Sequence, residues 1–155
     1  MMKAKEELRA ELDNTDRRTR ALLDDLSEEQ LDVPYHRGIN PPLWELGHSA
    51  FFYEYFLLRE LDQSAPRMPG YDEIWDSFEI QHRNRWQKDV IPDHGTTQAY
   101  YQRVLDEVRE RLEAESLEGD GSAVVEHLLS TVGRRITIKR RRHDIYVAGS
   151  QRDVE

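Results

Sequence analysis

Histidine is the residue type in this chain with the widest chemical range. The sequence contains six histidines and no cysteine among its 155 residues. The lack of thiols excludes disulfides, thiolate metal sites and a cysteine nucleophile. Any metal would have to be held by imidazole and carboxylate groups, a ligand set that suits Fe, Zn, Ni or Mn. The histidines are therefore the first candidates for a functional site.

Two of these histidines fall in segments with helical periodicity. His48 lies on an apolar stripe, and His127 shares a helix face with Val124 and Thr131. Either could be a metal ligand, but a lone histidine on an apolar face is more often a core residue. A single imidazole does not hold a functional ion. The other positions, His36, His94 and His143, lie in predicted loops or in the tail, where we expect them to be solvated.

A second group of chemistry-bearing residues is His82, Arg85 and Trp86. Arg85 and Trp86 are candidate substrate-binding residues, because a guanidinium holds a carboxylate in a bidentate pair. The alternative interpretation is that Trp86 anchors a loop on the body of the protein.

Helical periodicity dominates the segments that must position these residues. Four main helices are predicted, and their connections are long enough to suit a helix bundle. We expect Asn40 to cap the second helix and Thr96 to cap the third, and Ser27 to open a short turn through a capping box. The segment 71–90 is predicted to be a short helix or irregular cover. The predicted buried positions of the first two helices are Leu8, Leu12, Thr15, Thr19, Leu22 and Leu26, then Trp44, His48, Phe51, Tyr55 and Leu58.

The charge pattern divides the chain into two parts. Residues 1–133 are predicted to form one helical domain, and residues 134–155 a basic tail that is extended or disordered. The chain as a whole has a net charge of −9. This acidity argues against general nucleic-acid or anionic-membrane binding. No apolar run reaches the length of a bilayer span, so a cytoplasmic location is expected. Nucleic-acid binding by the tail is a weaker hypothesis.

The segment 41–58, PPLWELGHSAFFYEYFLL, resembles the second helix of DinB-like domains. It is most similar to the version at the N-terminus of ergothioneine-biosynthesis iron sulfoxide synthases, with a proline-rich start, a Trp, a Gly-His pair and an aromatic stretch. Two further stretches are similar, one from Ser77 to Trp86 and one from Thr96 to Val108. The resemblance covers roughly residues 5–132.

The resemblance implies an all-α DinB-like four-helix bundle, with long connections and a basic C-terminal tail. It also implies a three-histidine metal site to which His48 contributes one ligand. The family's other two ligands form an H-x-x-x-H pair on the last helix. Between Asp120 and Glu155 that pair is absent, and His127 is the only histidine of the last predicted helix. His127 is therefore the candidate second ligand, and a carboxylate such as Glu54 or Glu126 could complete a two-histidine site.

The resemblance further implies a metal-binding domain that handles a low-molecular-weight thiol. Fe(II) is the favoured ion, with Zn or Ni as alternatives, or no ion if the site is incomplete. An active protein would be a metal-dependent oxidoreductase or thiol transferase. The alternative is a non-catalytic bundle with a degraded metal site that acts as an interaction or dimerisation module. The expected partner is a second copy of the chain, in a homodimer.

Overall fold

The computed structural model describes residues 5–114, and all regular structure in that range is helical. This confirms the all-α prediction. The predicted fourth helix with His127 and the basic tail 134–155 lie outside the described residues. The elements in chain order are α1 (Lys5–Ala21), α2 (Glu28–Leu31), α3 (Pro42–Tyr53), a π-helical turn (Glu54–Arg59), α4 (Glu60–Asp62), α5 (Asp72–Trp75), a 3₁₀ turn (His82–Trp86) and α6 (His94–Ala114).

The long helix α6 is the element on which the others pack. It contacts α1 on one side and α3 with its π-helical turn on the other, and α5 lies against α3. Apolar residues at helical spacing on α1, α3 and α6 close the core between them. The fully or almost fully buried residues include Leu8, Leu12, Trp44, Ala50, Tyr53, Leu58, Trp75, Val104, Leu105 and Val108.

The ends of the helices follow local polar chemistry. The capping box at Ser27 is present, as predicted, with Gln30 as its partner. The cap predicted at Asn40 is wrong, because Pro41 precedes α3 and gives no side-chain cap. The cap predicted at Thr96 is also wrong, since the Asp93 carboxylate accepts a bond from the Thr96 amide at 2.7 Å. That bond is the first cause of a lowered pKa of Asp93.

The helix that begins as α3 becomes π-helical at Glu54. Hydrogen bonds in a π-helix run between residues i and i+5, so the turn from Glu54 to Arg59 is wider than an α-turn. The wider turn changes the direction in which the side chains within it point. Tyr55, which was predicted on the buried stripe, is 41% exposed, whereas Glu54 is fully buried.

No helix in the described range 5–114 has the length and apolar character needed to cross a membrane.

Candidate functional site

His48 is buried on α3 with its ring in a fixed orientation. Its Nδ1 lies 2.6 Å from the carbonyl oxygen of Trp75. A carbonyl can only accept, so Nδ1 carries the proton and donates it. The ring stacks on Trp44 with 4.6 Å between centroids and meets the edge of Phe52. Metal-binding histidines are usually oriented in this way, by a second ring nitrogen that donates to a carbonyl or carboxylate.

The absence of a side chain at Gly47 lets α5 approach α3 closely enough to orient His48. A Cβ atom built at Gly47 would lie 2.3 Å from the six-membered ring of Trp75. Trp44 fixes the same contact, because its indole N–H donates to the carbonyl of Ile74 at 2.8 Å. Close packing of α5 on α3 therefore brings the Trp75 carbonyl within hydrogen-bond distance of His48.

The described residues supply one ligand-like imidazole and no complete site. No group of three or more His, Asp or Glu side chains that could hold a metal ion occurs among residues 5–114. His48 is buried in an aromatic environment, and His127 lies outside the described range. Within residues 5–114, the imidazole of His48 thus fits one ligand of a metal centre.

A cavity of about 270 Å³ lies between the end of α1, with the turn that follows it, and α3. The loop before α3 and the 3₁₀ turn complete its wall. Apolar and polar groups both reach into it, as is usual for small-molecule sites. The lining residues are Thr19, Leu22, Leu23, Arg37, Gly38, Ile39, Asn40, Pro42, Glu45, Leu46, Ser49, His82 and Arg85.

Arg85 is the half-buried cation of this cavity. Its guanidinium stacks over the ring of Trp44 at 4.2 Å and donates to the amide oxygen of Asn40 at 2.7 Å and the carbonyl of Ser77 at 3.0 Å. Its Nε is buried and has no hydrogen-bond partner within residues 5–114. Both recorded acceptors are neutral, and burial lowers the pKa of Arg85. A half-buried guanidinium whose acceptors are neutral is stabilised strongly when it binds an anion.

Trp86 and His82 hold the 3₁₀ turn to the loop before α3. The Trp86 indole N–H donates to the carbonyl of Val33 at 2.9 Å, and His82 Nε2 donates to the carbonyl of Ile39 at 2.9 Å. Both rings also meet the ring of Tyr35 edge-on. Of the two predicted substrate-binding residues, Arg85 lines the cavity and Trp86 is engaged in anchoring.

A buried charged network at the π-helical turn was missed by sequence reasoning. Glu54 Oε1 accepts bonds from Arg59 and from the backbone amide of Arg67, and Glu54 Oε2 accepts from Tyr100. Burial, and next the bond to Glu54, raises the pKa of Tyr100 far above its ordinary value, so its hydroxyl remains a donor. The bond to Asp72 is the largest cause of the raised pKa of Arg59. These bonds tie α3, α6 and the 59–72 segment together.

These features define a helical-bundle domain with two candidate functional groups. One is the oriented imidazole of His48 on α3, and the other is the half-buried guanidinium of Arg85 in the 3₁₀ turn. A family model described as the DinB superfamily matches residues 11–134. The chain belongs to the DinB superfamily. A comparison with curated proteins finds no match.

Proposed function

We propose that this chain is a DinB-like metal-binding domain, related to the domain of ergothioneine-biosynthesis iron enzymes, that handles a low-molecular-weight thiol. The observation that carries the proposal is the bond from His48 Nδ1 to the Trp75 carbonyl. This bond leaves Nε2 as the ligand atom of a neutral imidazole, the form that binds metals. His48 is the first proposed ligand and His127 the second.

The proposed ion is Fe(II), with Zn or Ni as alternatives. When bound, such an ion supplies Lewis-acid chemistry that favours the thiolate form of a coordinated thiol. The protein's own contribution is to orient His48 and to enclose it among Trp44, Phe52 and Trp75. An active protein would be an oxidoreductase or a thiol transferase in the cytoplasm.

Replacing His48 with glutamine is expected to abolish metal binding. The Gln amide can still donate to the Trp75 carbonyl, so the fold should be retained while the imidazole ligand is lost. The purified chain, loaded anaerobically with Fe(II) and separately with Zn(II), is expected to retain about one ion, and His48→Gln none. Elemental analysis after desalting measures the stoichiometry, and circular dichroism checks the fold.

His36→Gln is the matched control, because His36 lies in an exposed loop and its loss should leave the stoichiometry unchanged. An ion retained at full stoichiometry by folded His48→Gln would contradict the assignment. A parent chain that binds neither ion would contradict the metal-binding function itself.

Arg85 is proposed to hold the carboxylate of the thiol compound. Cysteine and cysteamine form a suitable probe pair, because both carry a thiol and an amine and only cysteine carries a carboxylate. A charge-assisted pair is worth about 1.5–3 kcal/mol, so cysteine is expected to bind at least about tenfold more tightly than cysteamine. Isothermal titration gives the two dissociation constants.

In Arg85→Gln the preference for cysteine over cysteamine is expected to disappear. Arg103→Gln serves as the control, since it removes an exposed guanidinium of α6 that does not line the cavity. Equal binding of the two probes by the parent chain would refute the role of Arg85, and it would leave the metal measurement above unaffected.

A second candidate function is an interaction or dimerisation module with a degraded metal site. It is favoured by the lack of a three-ligand cluster among residues 5–114 and of an H-x-x-x-H pair after Asp120. This candidate predicts an ion-free chain whose unfolding temperature does not respond to added metal. Sedimentation equilibrium would then be expected to show a dimer.

A further inference from the structure

We infer that residues 33–40 form a lid on one side of the cavity between α1 and α3, and that the 3₁₀ turn His82–Trp86 is the latch that holds it in place. The loop contributes four lining residues to the cavity: Arg37, Gly38, Ile39 and Asn40. The latch contributes His82 and Arg85. The remaining lining comes from α1, the turn that follows it and α3, so the lid and latch together form the removable part of the wall.

The lid is attached to the latch through side chains. Trp86 donates to the Val33 carbonyl at one end of the lid, and His82 donates to the Ile39 carbonyl at the other. Arg85 adds a bond to the Asn40 side chain at 2.7 Å. Within the described part of the chain, no backbone-to-backbone hydrogen bond joins the two segments.

The internal structure of the lid allows it to move as a unit. A turn at its centre is formed by the bond from the Gly38 amide to the His36 ring at 3.0 Å. Pro34 and Pro41 restrict the backbone near its two ends. Segments whose attachment depends on a few solvent-accessible bonds open at lower free energy than the global fold. Opening of this lid requires the latch bonds, the bond from Asn40 to Glu45 and the ring contacts of Tyr35 to break.

The lid controls access to the cavity, whichever molecule the cavity accepts. Closure over a small ligand excludes water and places Asn40 and Arg85 in the wall, as closing loops do in many binding sites. The lid is defined by the cavity and the latch contacts, and its opening does not require metal binding or thiol chemistry.

A single introduced thiol can report lid opening, because the chain has no cysteine of its own. Ser49 lines the cavity and is 8% exposed, so Ser49→Cys places a thiol beneath the lid. The probe is methyl methanethiosulfonate, and mass spectrometry follows the labelling. In the closed protein, labelling is expected to be at least about 100-fold slower than for a cysteine peptide, since it requires the lid to open.

Trp86→Phe in the Ser49→Cys background keeps an aromatic ring against Tyr35 and removes the N–H bond to Val33. Loss of one net hydrogen bond is expected to speed labelling about fivefold. Thr97→Val is the matched control, because it removes one side-chain hydrogen bond, to the Asp93 carbonyl at 2.9 Å, at the start of α6 and outside the latch. It is expected to leave the labelling rate in the absence of urea unchanged.

Equal acceleration by the two variants, or none by Trp86→Phe, would overturn the lid. So would labelling of the parent thiol at the peptide rate, or a labelling rate that follows global unfolding as urea is added. Hydrogen exchange on the unsubstituted chain provides a second measurement. The amides of residues 35–40 are expected to exchange through a urea-independent opening that Trp86→Phe accelerates and Thr97→Val does not.

Discussion

Replacing Glu54 with alanine is expected to destabilise the protein by about 3–5 kcal/mol, the usual cost of breaking a buried ion pair by removing one partner. Glu54 is completely buried, and Arg59 is largely so, with 12% of its side chain exposed. The Glu54 carboxylate also accepts bonds from the Arg67 amide at 2.8 Å and from the Tyr100 hydroxyl. Its loss would leave the Arg67 amide and the Tyr100 hydroxyl without this acceptor, and the Arg59 guanidinium would keep only its pair with Asp72.

Asp72→Ala is the matched control for this measurement. Asp72 forms a two-bond pair with the same guanidinium, at 2.7 and 2.8 Å, but its side chain is 44% exposed. Water can replace much of that pairing, so the expected cost is at most about 1 kcal/mol. Urea unfolding monitored by circular dichroism gives both changes in the free energy of unfolding.

The contrast between the two variants separates burial from simple pairing. Equal costs for Glu54→Ala and Asp72→Ala would mean that Glu54 stabilises the fold only as one partner of Arg59. In that case its bonds to Tyr100 and Arg67 would contribute little, and the π-helical turn would have another cause. A cost for Glu54→Ala below about 1 kcal/mol would contradict the network altogether.

The helices were predictable because their signals are local. The spacing of Leu8, Leu12, Thr15 and Thr19 indicates one buried face, and all four are buried. The capping box at Ser27 needs only residues within three positions, and it is present as predicted. The aromatic segment that begins at Pro42 was also recognisable as the family's second helix.

The failures of sequence reasoning come from contacts between residues distant in the chain. Asn40 was a reasonable cap by residue type, but its side chain bonds to Glu45 at 2.5 Å and to Arg85, which lies 45 positions further on. The exposure of Tyr55 follows from the π-helical turn, which stands where the buried Glu54 is paired with Arg59 at i+5. An α-helical periodicity of 3.6 contains no signal for that spacing.

The candidate site was predictable in part. The resemblance selected His48, and the chemistry of its side chain selected Arg85. The structure places His48 against α5 and Arg85 in the wall of a cavity. The sequence could not reveal that the Trp75 carbonyl orients His48, because every residue has a backbone carbonyl and its direction depends on the fold. Nor did it reveal the lid, whose attachment depends on where Trp86 and His82 reach in three dimensions.

Replacing Gly47 with alanine is expected to destabilise the protein by about 1–3 kcal/mol, as overpacking of a filled core does. In an ordinary helix the same change is stabilising, since alanine has the higher helix propensity. The sign is reversed here because the new methyl group would lie 2.3 Å from two ring carbons of Trp75. That ring is 1% exposed, so it has no free space into which to move.

Gly95→Ala tests whether the reversal is specific to this contact. Gly95 lies in the first turn of α6, and the nearest atom to an added Cβ there is the Asp93 carboxylate at 3.6 Å, an ordinary contact. This variant is expected to be neutral or slightly stabilising. If Gly47→Ala proved as stable as Gly95→Ala, Trp75 would be shown to have more freedom than its packing indicates.

Gly47→Ala also has a consequence for the candidate metal ligand. The added methyl group must push α5 away from α3, and the Trp75 carbonyl would move with it. His48 would then lose the acceptor that fixes which ring nitrogen carries the proton. Metal affinity is therefore expected to fall about 10–100-fold in Gly47→Ala, the usual cost of losing the group that orients a ligand. It should be unchanged in Gly95→Ala, and competition with a chelator measures both. An unchanged affinity in a folded Gly47→Ala protein would mean that the close approach of α5 to α3 serves packing alone.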